Sequence, residues 1–380
     1  MARIAFVTSR IAPGTDGVGD HVRTLAGEIA RMGHECVVIG LNQDDAHPWA
    51  ERFGPDGEPP PIRPSSTEAR ERRFAEARAL VAAFDPQVVS FHYVSFAYAR
   101  RGLAVDIGRS FREIAGKRRV ELNAHELWTG FDLAATAKDR VNGFLQYVLF
   151  RRMLRQLAPD VIHVSNPTYV EMMRQIGRTV RLAPLFGNVP LTGALPAPDA
   201  EGFEEPAGQV WRLLFFGSIH AEWPPEPFLT RLTALAASEG RRPVVISVGR
   251  IGGGQPVWDR MIATHGHHCR FVRLGERPAA EISAIFNGVD FGVSTSPMCL
   301  IGKSSTVAAM LEHDLPVIVN REYPLRGLPL MEPPEGYARF VRLDDRFESA
   351  LKSAIGAQRL RASRLPQSAR RFLTDVGIGS

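Results

Sequence analysis

The sequence predicts two α/β domains, each built on a parallel sheet and joined by a linker. Three observations predict this fold class: short β-branched runs alternate with helix-period stretches, the alternation occurs twice, and a stretch without periodicity separates the two series. A chain of 380 residues, 44% hydrophobic and 23% charged, is long enough for two separate cores. We expect an N-terminal domain over 1–190, a linker over 191–210, a C-terminal domain over 211–365 and a C-terminal tail over 366–380.

The first domain opens with a strand, a helix and a second strand. The run "RIAFVT" (3–8) reads as a buried strand, Gly33 ends the following helix, and "CVVIGL" (36–41) reads as the next strand. One face of that helix carries Val22, Leu25, Ala26, Ile29 and Met32. Further strands are expected at "QVVSFHY" (87–93), "RVELNAH" (119–125) and "VIHVSN" (161–166). This alternation of strands and helices is typical of a parallel sheet.

A change in composition separates the second domain from the first. Residues 191–210, "LTGALPAPDAEGFEEPAGQV", carry no periodic pattern and read as a linker. The strands that follow are expected at "WRLLFFGS" (211–218), "PVVISVG" (243–249), "CRFVRLG" (269–275), "DFGVSTS" (290–296) and "PVIVNRE" (316–322). The Pro-rich stretch at 55–64 reads as a surface loop, and 68–80 reads as a charged, solvent-facing helix.

Residues directly after strands deserve the closest inspection, because ligands of such folds bind beyond the carboxyl ends of the strands, here in a cleft between two sheets. The stretch "PGTDGVGDHV" (13–22) follows the first strand and precedes a helix. Glycines there allow backbone N–H groups to approach an anion at the helix N-terminus. Val22 stands where a dinucleotide fingerprint requires its third glycine, so a flexible turn is an equally good interpretation.

A second candidate is "IGKSSTVAAML" (301–311), which resembles the end of a phosphate-binding loop. Pro297 occupies the first glycine position of that motif, so we do not expect a kinase-type loop. Ser304 or Gly302 can still cap a helix running to about His313, whose free N–H groups point at an anion. Only four of the 46 basic residues are lysines, and Lys303 lies here. The alternative is a surface lysine at an ordinary helix start.

The composition excludes several classes of protein. A net charge of +5 suits an anionic ligand but is too small and too spread out to require nucleic acid, so we expect no nucleic-acid partner. Cys36, Cys269 and Cys299 are widely spaced, which argues against a disulfide framework and a structural zinc site. The N-terminus reads directly into a strand, so we expect no leader, and no apolar run approaches the roughly 18 residues of a spanning helix. We therefore expect a cytoplasmic protein.

Two further segments have competing interpretations. The stretch "HGHHC" (265–269) clusters potential metal ligands but lacks the spacing of a metal site, so we expect no metal there. The stretch "YVLFRRMLRQL" (147–157) is a basic amphipathic helix. It reads either as a core helix with a solvated face or as a helix lying on the inner face of an anionic membrane.

Four segments, in this order and spacing, resemble those of the retaining GT-B glycosyltransferases, specifically glycosyltransferase family 4. They are the glycine stretch after the first strand, "HEL" (125–127), "FFGS" (215–218) and "SSTVAAMLEHDLPVIVN" (304–320). "HELW" (125–128), "PLFGNVP" (184–190) and "GKSSTVAAML" (302–311) are similar to a bacterial subgroup. The resemblance covers nearly the whole chain and implies a GT-B fold, with two Rossmann-like domains facing across a cleft.

The resemblance also implies a site for a UDP- or GDP-linked sugar, with no metal and no separate cofactor. Gly19 and His125 are its catalytic positions, and His125 lies near the transferred sugar unless it merely satisfies a strand end. The implied donor-binding residues are Gly17, Val18 and Gly19 beside the diphosphate, Gly217, Ser218, Lys303, Ser304, Ser305 and Thr306 around the phosphates, and Gly275 and Glu276 at the base.

The chain departs from the family pattern at two places. Most members carry two glutamates separated by seven residues, and Ile301 and Ala309 stand at those positions here. The usual arginine and lysine after the second-domain glycine are missing from "GSIHAEWPPEP" (217–227). Lys303 could replace the missing cation, and Thr306 or Glu312 could contact the ribose.

The resemblance implies a retaining, metal-independent hexosyltransferase that moves a sugar from a nucleotide-diphosphate sugar to a hydroxyl acceptor in bacterial glycan or glycoconjugate biosynthesis. The angle between its domains would change when the donor binds. Two alternatives stay open because the glutamate pair is missing. One is a non-catalytic sugar-nucleotide-binding partner protein, and the other is a GT-B-type sugar-nucleotide epimerase, which would need carboxylates in the cleft. The sequence leaves the base, sugar, acceptor and oligomeric state undetermined.

Overall fold

The chain divides into two compact units in a computed structural model that describes residues 1–14, 16–43, 49–54, 70–322, 325–332 and 339–379. The first unit comprises Met1–Pro184, Pro324–Leu330 and Leu365–Ser380, and the second comprises Leu185–Tyr323 and Met331–Arg364. The surface loop expected at 55–64 and the first two residues of the charged helix expected over 68–80 lie outside the described residues. Each unit contains one mainly parallel sheet, as expected.

The first unit contains a seven-stranded sheet in the order β3-β2-β1-β4-β5-β6-β7, in which only β3 is antiparallel to its neighbour. Its strands are β1 (Arg3–Thr8), β2 (Glu35–Gly40), β3 (Ala50–Phe53), β4 (Val88–Tyr93), β5 (Arg119–Ala124), β6 (Val161–Val164) and β7 (Arg181–Leu182). Its helices are α1 (Gly17–Arg31), α2 (Arg70–Phe84), α3 (Ser95–Tyr98), α4 (Ile107–Ala115), α5 (Ala137–Leu157), α6 (Pro167–Gln175) and α12 (Leu365–Asp375). The central strands are buried on both faces, which is why they read as continuous apolar runs.

The second unit contains a six-stranded parallel sheet in the order β10-β9-β8-β11-β12-β13. Its strands are β8 (Val210–Phe216), β9 (Arg242–Val248), β10 (Arg270–Gly275), β11 (Phe291–Ser294), β12 (Val317–Val319) and β13 (Phe340–Arg342). Its helices are α7 (Phe228–Ser238), α8 (Gln255–His265), α9 (Ala279–Gly288), α10 (Ser305–Glu312) and α11 (Phe347–Gly356). A 3-10 helix, Met298–Lys303, precedes α10, and two apolar clusters pack around this sheet.

The segment expected to be a linker packs against the second unit. Ser283 Oγ accepts a hydrogen bond of 3.1 Å from the Thr192 N–H, and the Asn287 side chain donates one of 2.8 Å to the Thr192 carbonyl. Further along, the Arg212 Nε donates to the Gly202 carbonyl at 3.0 Å. The units therefore divide between Pro184 and Leu185, ahead of the expected boundary, and 191–210 belongs to the second unit.

The segment expected to be a C-terminal tail contains helix α12 and belongs to the first unit. Ala369, Phe372 and Leu373 form its buried face, and the Phe372 ring centroid lies 5.5 Å from that of Phe6 in β1. The interpretation of 366–380 as a tail is therefore wrong, because this short apolar stripe packs against β1 of the first sheet.

Each sheet has a point at which the strand order reverses. In the first unit, β2 and β3 extend the sheet on one side of β1, and β4 to β7 extend it on the other side. In the second unit, β9 and β10 lie on one side of β8, and β11 to β13 lie on the other side. The loops leaving such neighbouring strands turn to opposite faces and leave a crevice at the carboxyl edge, where ligands of open α/β sheets bind.

Candidate functional site

A pocket of about 280 Å³ lies at the reversal point of the second sheet. Three segments line it, namely the end of β8, the end of β11 and the start of α10. The lining residues are Phe215, Phe216, Ser218, His220, Val293, Ser294, Thr295, Ser296, Lys303, Ser304, Ser305 and Thr306. The structure thus brings together Ser218 and the Lys303–Thr306 segment, which the sequence analysis assigned to the phosphates.

Gly217 allows the loop after β8 to approach the start of α10. Its φ of +79° lies in the left-handed region, and a Cβ there would be 3.1 Å from Thr306 Cγ2. Its N–H donates to the Val248 carbonyl at 2.8 Å, which joins this loop to the end of β9. A side chain at this position would push the β8 loop away from the pocket, so Gly217 has a geometric role beside Ser218.

The start of α10 directs positive electrostatic potential into the pocket. Ser304 is the N-cap, and its Oγ accepts a hydrogen bond of 3.3 Å from the Val307 N–H, so Ser304 and not Gly302 caps the helix. The N–H groups of the first turn have no carbonyl partner within the helix. Lys303 directly precedes the cap and adds a charged group to the same wall. These groups together favour a bound anion.

Two pocket residues, His220 and Thr295, were not singled out from the sequence. Thr295 Oγ1 accepts a hydrogen bond of 3.2 Å from the His220 N–H, which joins the β8 loop to the β11 loop. The Arg321 guanidinium supports the second loop by donating to the Thr295 carbonyl at 3.1 Å. The hydroxyl-rich stretch "STS" (294–296) at the end of a strand was the sequence feature that could have identified Thr295.

Gly275 and Glu276 lie at the end of β10 and do not line this pocket. The Gly275 carbonyl accepts a hydrogen bond of 2.8 Å from the Gly249 N–H at the end of β9. Glu276 Oε1 lies 2.9 Å from Arg250 Nη2, and both side chains are exposed. The structure therefore places these two residues on the same sheet edge as the pocket but does not bring them into it.

The positions of the missing glutamate pair are occupied by tightly packed apolar residues. Ile301 is buried in one of the apolar clusters. Ala309 is also buried, and a Cβ added to Gly187 would lie 2.6 Å from the Ala309 Cα. Because the backbone of 187 touches α10 at Ala309, a glutamate at that position would have no room. The packing of this unit is thus adapted to the absence of the pair.

Glu312, one of the two residues suggested for the ribose, has a structural role instead. Its Oε1 accepts hydrogen bonds from the N–H groups of Gly187 at 2.9 Å and Arg364 at 3.1 Å. The side chain is buried, and burial raises the pKa of this carboxyl. Glu312 lies at the end of α10 and does not line the pocket, so the ribose assignment is wrong for this residue, whereas Thr306 does line it.

In the first unit, Gly17, Val18 and Gly19 form the first turn of α1, although a loop was expected there. Asp16 is the N-cap, and its carboxylate accepts a hydrogen bond of 3.1 Å from the Val18 N–H. The Asp20 carboxylate accepts from the Gly14 N–H at 3.0 Å, and burial raises the pKa of both carboxyls. Two acidic side chains therefore already occupy the N-terminus of this helix, which weakens it as a diphosphate site.

Gly19 has a packing role that was not expected. A Cβ on Gly19 would lie 2.3 Å from the Arg10 carbonyl oxygen and 3.2 Å from the Ile11 Cα. Helix α1 thus lies directly on the backbone that follows β1, and only glycine permits this approach. A larger residue at 19 would therefore disturb the packing of α1 on this backbone.

His125 follows β5 and belongs to a cluster of three buried histidines. Its Nε2 lies 2.8 Å from His92 Nδ1, and its ring meets the His21 ring edge-on at a centroid distance of 5.5 Å. Burial lowers the pKa of all three rings, that of His21 to about 4. The structure therefore brings His125 together with helix α1 through His21, and all three imidazoles are neutral near pH 7.

The remaining candidate segments have ordinary surroundings. In "HGHHC", the buried His265 bonds to Glu226, and the rings of His267 and His268 lie 4.0 Å apart. Across the described ranges, no three His, Cys, Asp or Glu side chains are grouped as a metal site would require. None of the described helices combines the length and the apolar character needed to cross a bilayer.

Comparisons with known proteins identify the fold. No family model and no curated protein matches the sequence. Sucrose-phosphate synthase from Thermosynechococcus elongatus matches with a TM-score of 0.58 at 16% identity, over 99% of this chain and 93% of that one. The catalytic domain of starch synthase IV from Arabidopsis thaliana, bound to ADP and acarbose, matches with a TM-score of 0.55 at 10% identity, over 99% of this chain and 98% of that one. UDP-GlcNAc 2-epimerase from Methanocaldococcus jannaschii matches with a TM-score of 0.53 at 10% identity, over 99% and 100%. The chain has the GT-B fold of two Rossmann-like, parallel-sheet domains.

Proposed function

We propose that the protein is a retaining, metal-independent glycosyltransferase, similar to family 4, which moves a sugar from a UDP- or GDP-linked donor to a hydroxyl acceptor. The observation that carries this proposal is the convergence of Gly217, Ser218 and the Lys303–Thr306 segment at the reversal point of the second sheet. That is the position at which an open α/β sheet binds a ligand, and the charge there suits a diphosphate.

In the proposed mechanism, the acceptor hydroxyl attacks the sugar from the face that the diphosphate leaves. The leaving phosphate oxygen takes the proton of the acceptor, so no protein nucleophile is required. The main task of the protein is then to stabilise the charge that develops on the diphosphate. Lys303 and the first N–H groups of α10 would carry this task, with Ser218 and Thr306 as further hydrogen-bond donors. The pocket is large enough for a diphosphate but small for a whole nucleotide sugar.

An epimerase is the second candidate, because an epimerase is among the solved structures with this fold. Such chemistry needs carboxylates beside the sugar. None of the described residues that line the pocket is acidic. In the proposal this pocket holds the diphosphate and not the sugar, so the products of turnover separate a transferase from an epimerase. A non-catalytic sugar-nucleotide-binding protein is the third candidate, and only turnover distinguishes it.

The proposed function is tested by incubating the protein with a panel of nucleotide sugars and following the products by mass spectrometry. Thermal shift first identifies the donors that bind. A transferase releases nucleoside diphosphate slowly in the absence of acceptor, an epimerase yields an isomeric nucleotide sugar, and an inert partner protein binds without turnover. We expect the first result, and either of the others would replace the proposal.

We further infer that one face of helix α5 lies on an anionic membrane surface. Four apolar side chains on this face are exposed to solvent, with fractions of 63% for Val141, 64% for Phe144, 44% for Leu145 and 43% for Val148. Their spacing of three and four residues forms one stripe along the helix. Exposed basic side chains flank it at both ends, namely Lys138, Arg140, Arg151 and Arg155. An apolar stripe between basic groups matches the interface of an anionic bilayer.

A further inference from the structure

A continuous line of buried polar side chains crosses the first sheet from His125. His92 Nδ1 lies 2.8 Å from His125 Nε2, and His92 Nε2 lies 3.1 Å from Ser90 Oγ. Ser90 Oγ donates a hydrogen bond of 2.5 Å to Glu121 Oε2, and Glu121 Oε1 lies 2.8 Å from His163 Nδ1. Ser90 and Glu121 have no exposed surface at all. Burying polar groups costs free energy unless they are hydrogen-bonded, so a line of such residues in the core points to a specific role.

The strand register places these residues on one face of the sheet. Ser90 in β4 pairs with Glu121 in β5, and His92 follows two residues later on the same face. Asn123, two residues beyond Glu121, pairs with His163 in β6. Three parallel strands thus bring the line together through their alternation, without any irregular backbone.

The far end of the line is an ion-paired cluster. His163 Nε2 lies 2.9 Å from Asp375 Oδ2 in α12, and Asp375 is paired with Arg181. Burial alone would lower the pKa of His163, but its hydrogen bonds to Asp375 and Glu121 outweigh burial and raise that pKa to about 9. His163 is therefore an imidazolium near pH 7, donating one N–H to each carboxylate. Each oxygen of the Glu121 carboxylate thus has one partner, His163 Nδ1 at Oε1 and the Ser90 hydroxyl at Oε2.

The direction of every hydrogen bond follows from that carboxylate. A carboxylate only accepts, so the Ser90 hydroxyl must donate to Glu121. The Ser90 oxygen then accepts the Nε2–H of His92, which leaves His92 Nδ1 as an acceptor. His92 Nδ1 in turn accepts the Nε2–H of His125. The His125 ring is therefore left with a lone pair on Nδ1, and within the described parts of the chain no further hydrogen bond to this ring is present.

We propose that Glu121, acting through Ser90 and His92, fixes His125 in the Nε2–H tautomer, so that Nδ1 accepts a hydrogen bond from a substrate hydroxyl. This proposal rests on the proposed function and on the position beside the transferred sugar that the family resemblance implies for His125. Glu121, Ser90 and His92 are positioning residues, because each acts through the next and none is required to touch the substrate.

The tautomer has a chemical consequence for recognition. A ring that presents a lone pair selects groups that can donate, such as a sugar hydroxyl, and disfavours a phosphate oxygen, which can only accept at neutral pH. Histidines held by a carboxylate through hydrogen bonds are oriented in this way in many enzymes. His21, edge-on at 5.5 Å, confines the His125 ring from the side of α1. The line of side chains thus determines both the position and the hydrogen-bonding character of His125.

The tautomer is measured directly by nitrogen-detected or long-range proton–nitrogen NMR of the full chain labelled with 15N-histidine at pH 7.5. We expect the His125 signals, assigned with a His125→Gln variant, to show a protonated Nε2 and an unprotonated Nδ1. A protonated Nδ1 in the wild-type protein would overturn the proposal. This readout needs no turnover, so its outcome is independent of whether the protein proves to be a transferase.

The coupling is tested with Ser90→Ala, which removes the acceptor of the His92 Nε2–H while leaving the Glu121–His163 pair in place. Without this acceptor, nothing fixes which ring donates in the hydrogen bond between His92 and His125, so we expect a mixture of His125 tautomers. Ser165→Ala, at another buried serine of the same unit, should leave the spectrum unchanged. With a donor in hand, Ser90→Ala should lower kcat for transfer about tenfold without changing the donor Kd. An unchanged His125 tautomer in Ser90→Ala would refute the coupling.

Discussion

Lys303 supplies the side-chain cation among the described residues that line the pocket of the second unit. Lys303→Ala should weaken binding of a nucleoside diphosphate by about 1.5–3 kcal/mol, or roughly 10- to 150-fold, which is the range of a charged hydrogen bond. Titration calorimetry with UDP and GDP measures this change. Lys352→Ala is the matched control, because Lys352 lies in the same unit, is paired with Glu239 and is remote from the pocket lining.

Two results of that titration would remove the phosphate assignment. One is an unchanged diphosphate affinity in a folded Lys303→Ala variant, and the other is an equal loss in Lys352→Ala.

Substitution of Gly19 tests whether the start of α1 packs directly on the backbone at Arg10. Gly19→Ala places a Cβ against the Arg10 carbonyl oxygen, which is backbone and cannot rotate away, so we expect a loss of about 1–3 kcal/mol in the free energy of unfolding. Gly27→Ala in the same helix is the control. Its Cβ would meet only Phe53 Cδ1 at 3.9 Å, and alanine is the better helix former by about 1 kcal/mol. Urea unfolding of both variants should give opposite signs, and a neutral Gly19→Ala would contradict the close approach described above.

The membrane proposal depends on the exposed apolar face of helix α5. Phe144→Asp places a charge in the middle of the apolar stripe and should reduce binding to vesicles containing phosphatidylglycerol at least about tenfold. Leu360→Asp is the control, because Leu360 is 76% exposed but lies in the second unit. Co-sedimentation with phosphatidylglycerol vesicles and with purely phosphatidylcholine vesicles measures the difference. Equal binding of the two variants, or of the two lipids, would refute a role for this face.

Four buried histidines of the first unit predict how the free energy of unfolding depends on pH. The folded-state pKa values of His21, His92 and His125 are lowered, so these rings stay neutral in the folded protein when they would be protonated in the unfolded chain. The folded state therefore loses stability as the pH falls below about 6.5. The pKa of His163 is raised to about 9, so its contribution is complete below about 6.5 and is lost as the pH rises through about 9. Because three lowered pKa values oppose one raised value, stability should be greatest at about pH 7. Urea unfolding between pH 5 and 8.5 tests this, and a steady rise across that range would contradict it.

For the whole molecule, the periodicity of apolar residues was sufficient to predict most of the fold. The buried strands β1, β4, β5, β8 and β9 read as apolar runs, and their alternation with helices predicts two parallel sheets. The edge strands β3, β7 and β13 were missed, because two to four residues carry no measurable period. Helix α12 was missed for a different reason: it packs on β1, far away in sequence, and only the tertiary fold shows what its short apolar face covers.

The candidate site was predictable only in part. The segment around Lys303 was recognisable because its helix cap and charge are local features of the sequence. The buried line under His125 was missed, since Ser90, His92 and Glu121 come from two strands that only the sheet register brings together. Polar residues inside otherwise apolar strands such as "VVSFHY" were the signal, because such residues must find partners when buried. The packing role of Gly19 was missed for the same reason, because Arg10, which it contacts, lies across a loop.

The central claim is sugar transfer with retention from a nucleotide-diphosphate sugar, and the anomer first released from an α-linked donor tests it most directly. Proton NMR follows the anomeric signals during slow donor hydrolysis, before the free sugar equilibrates. We predict that the α-anomer appears first, together with nucleoside diphosphate, and that Lys303→Ala slows its appearance. Initial release of the β-anomer, formation of an isomeric nucleotide sugar, or no turnover of any donor that binds would contradict the account.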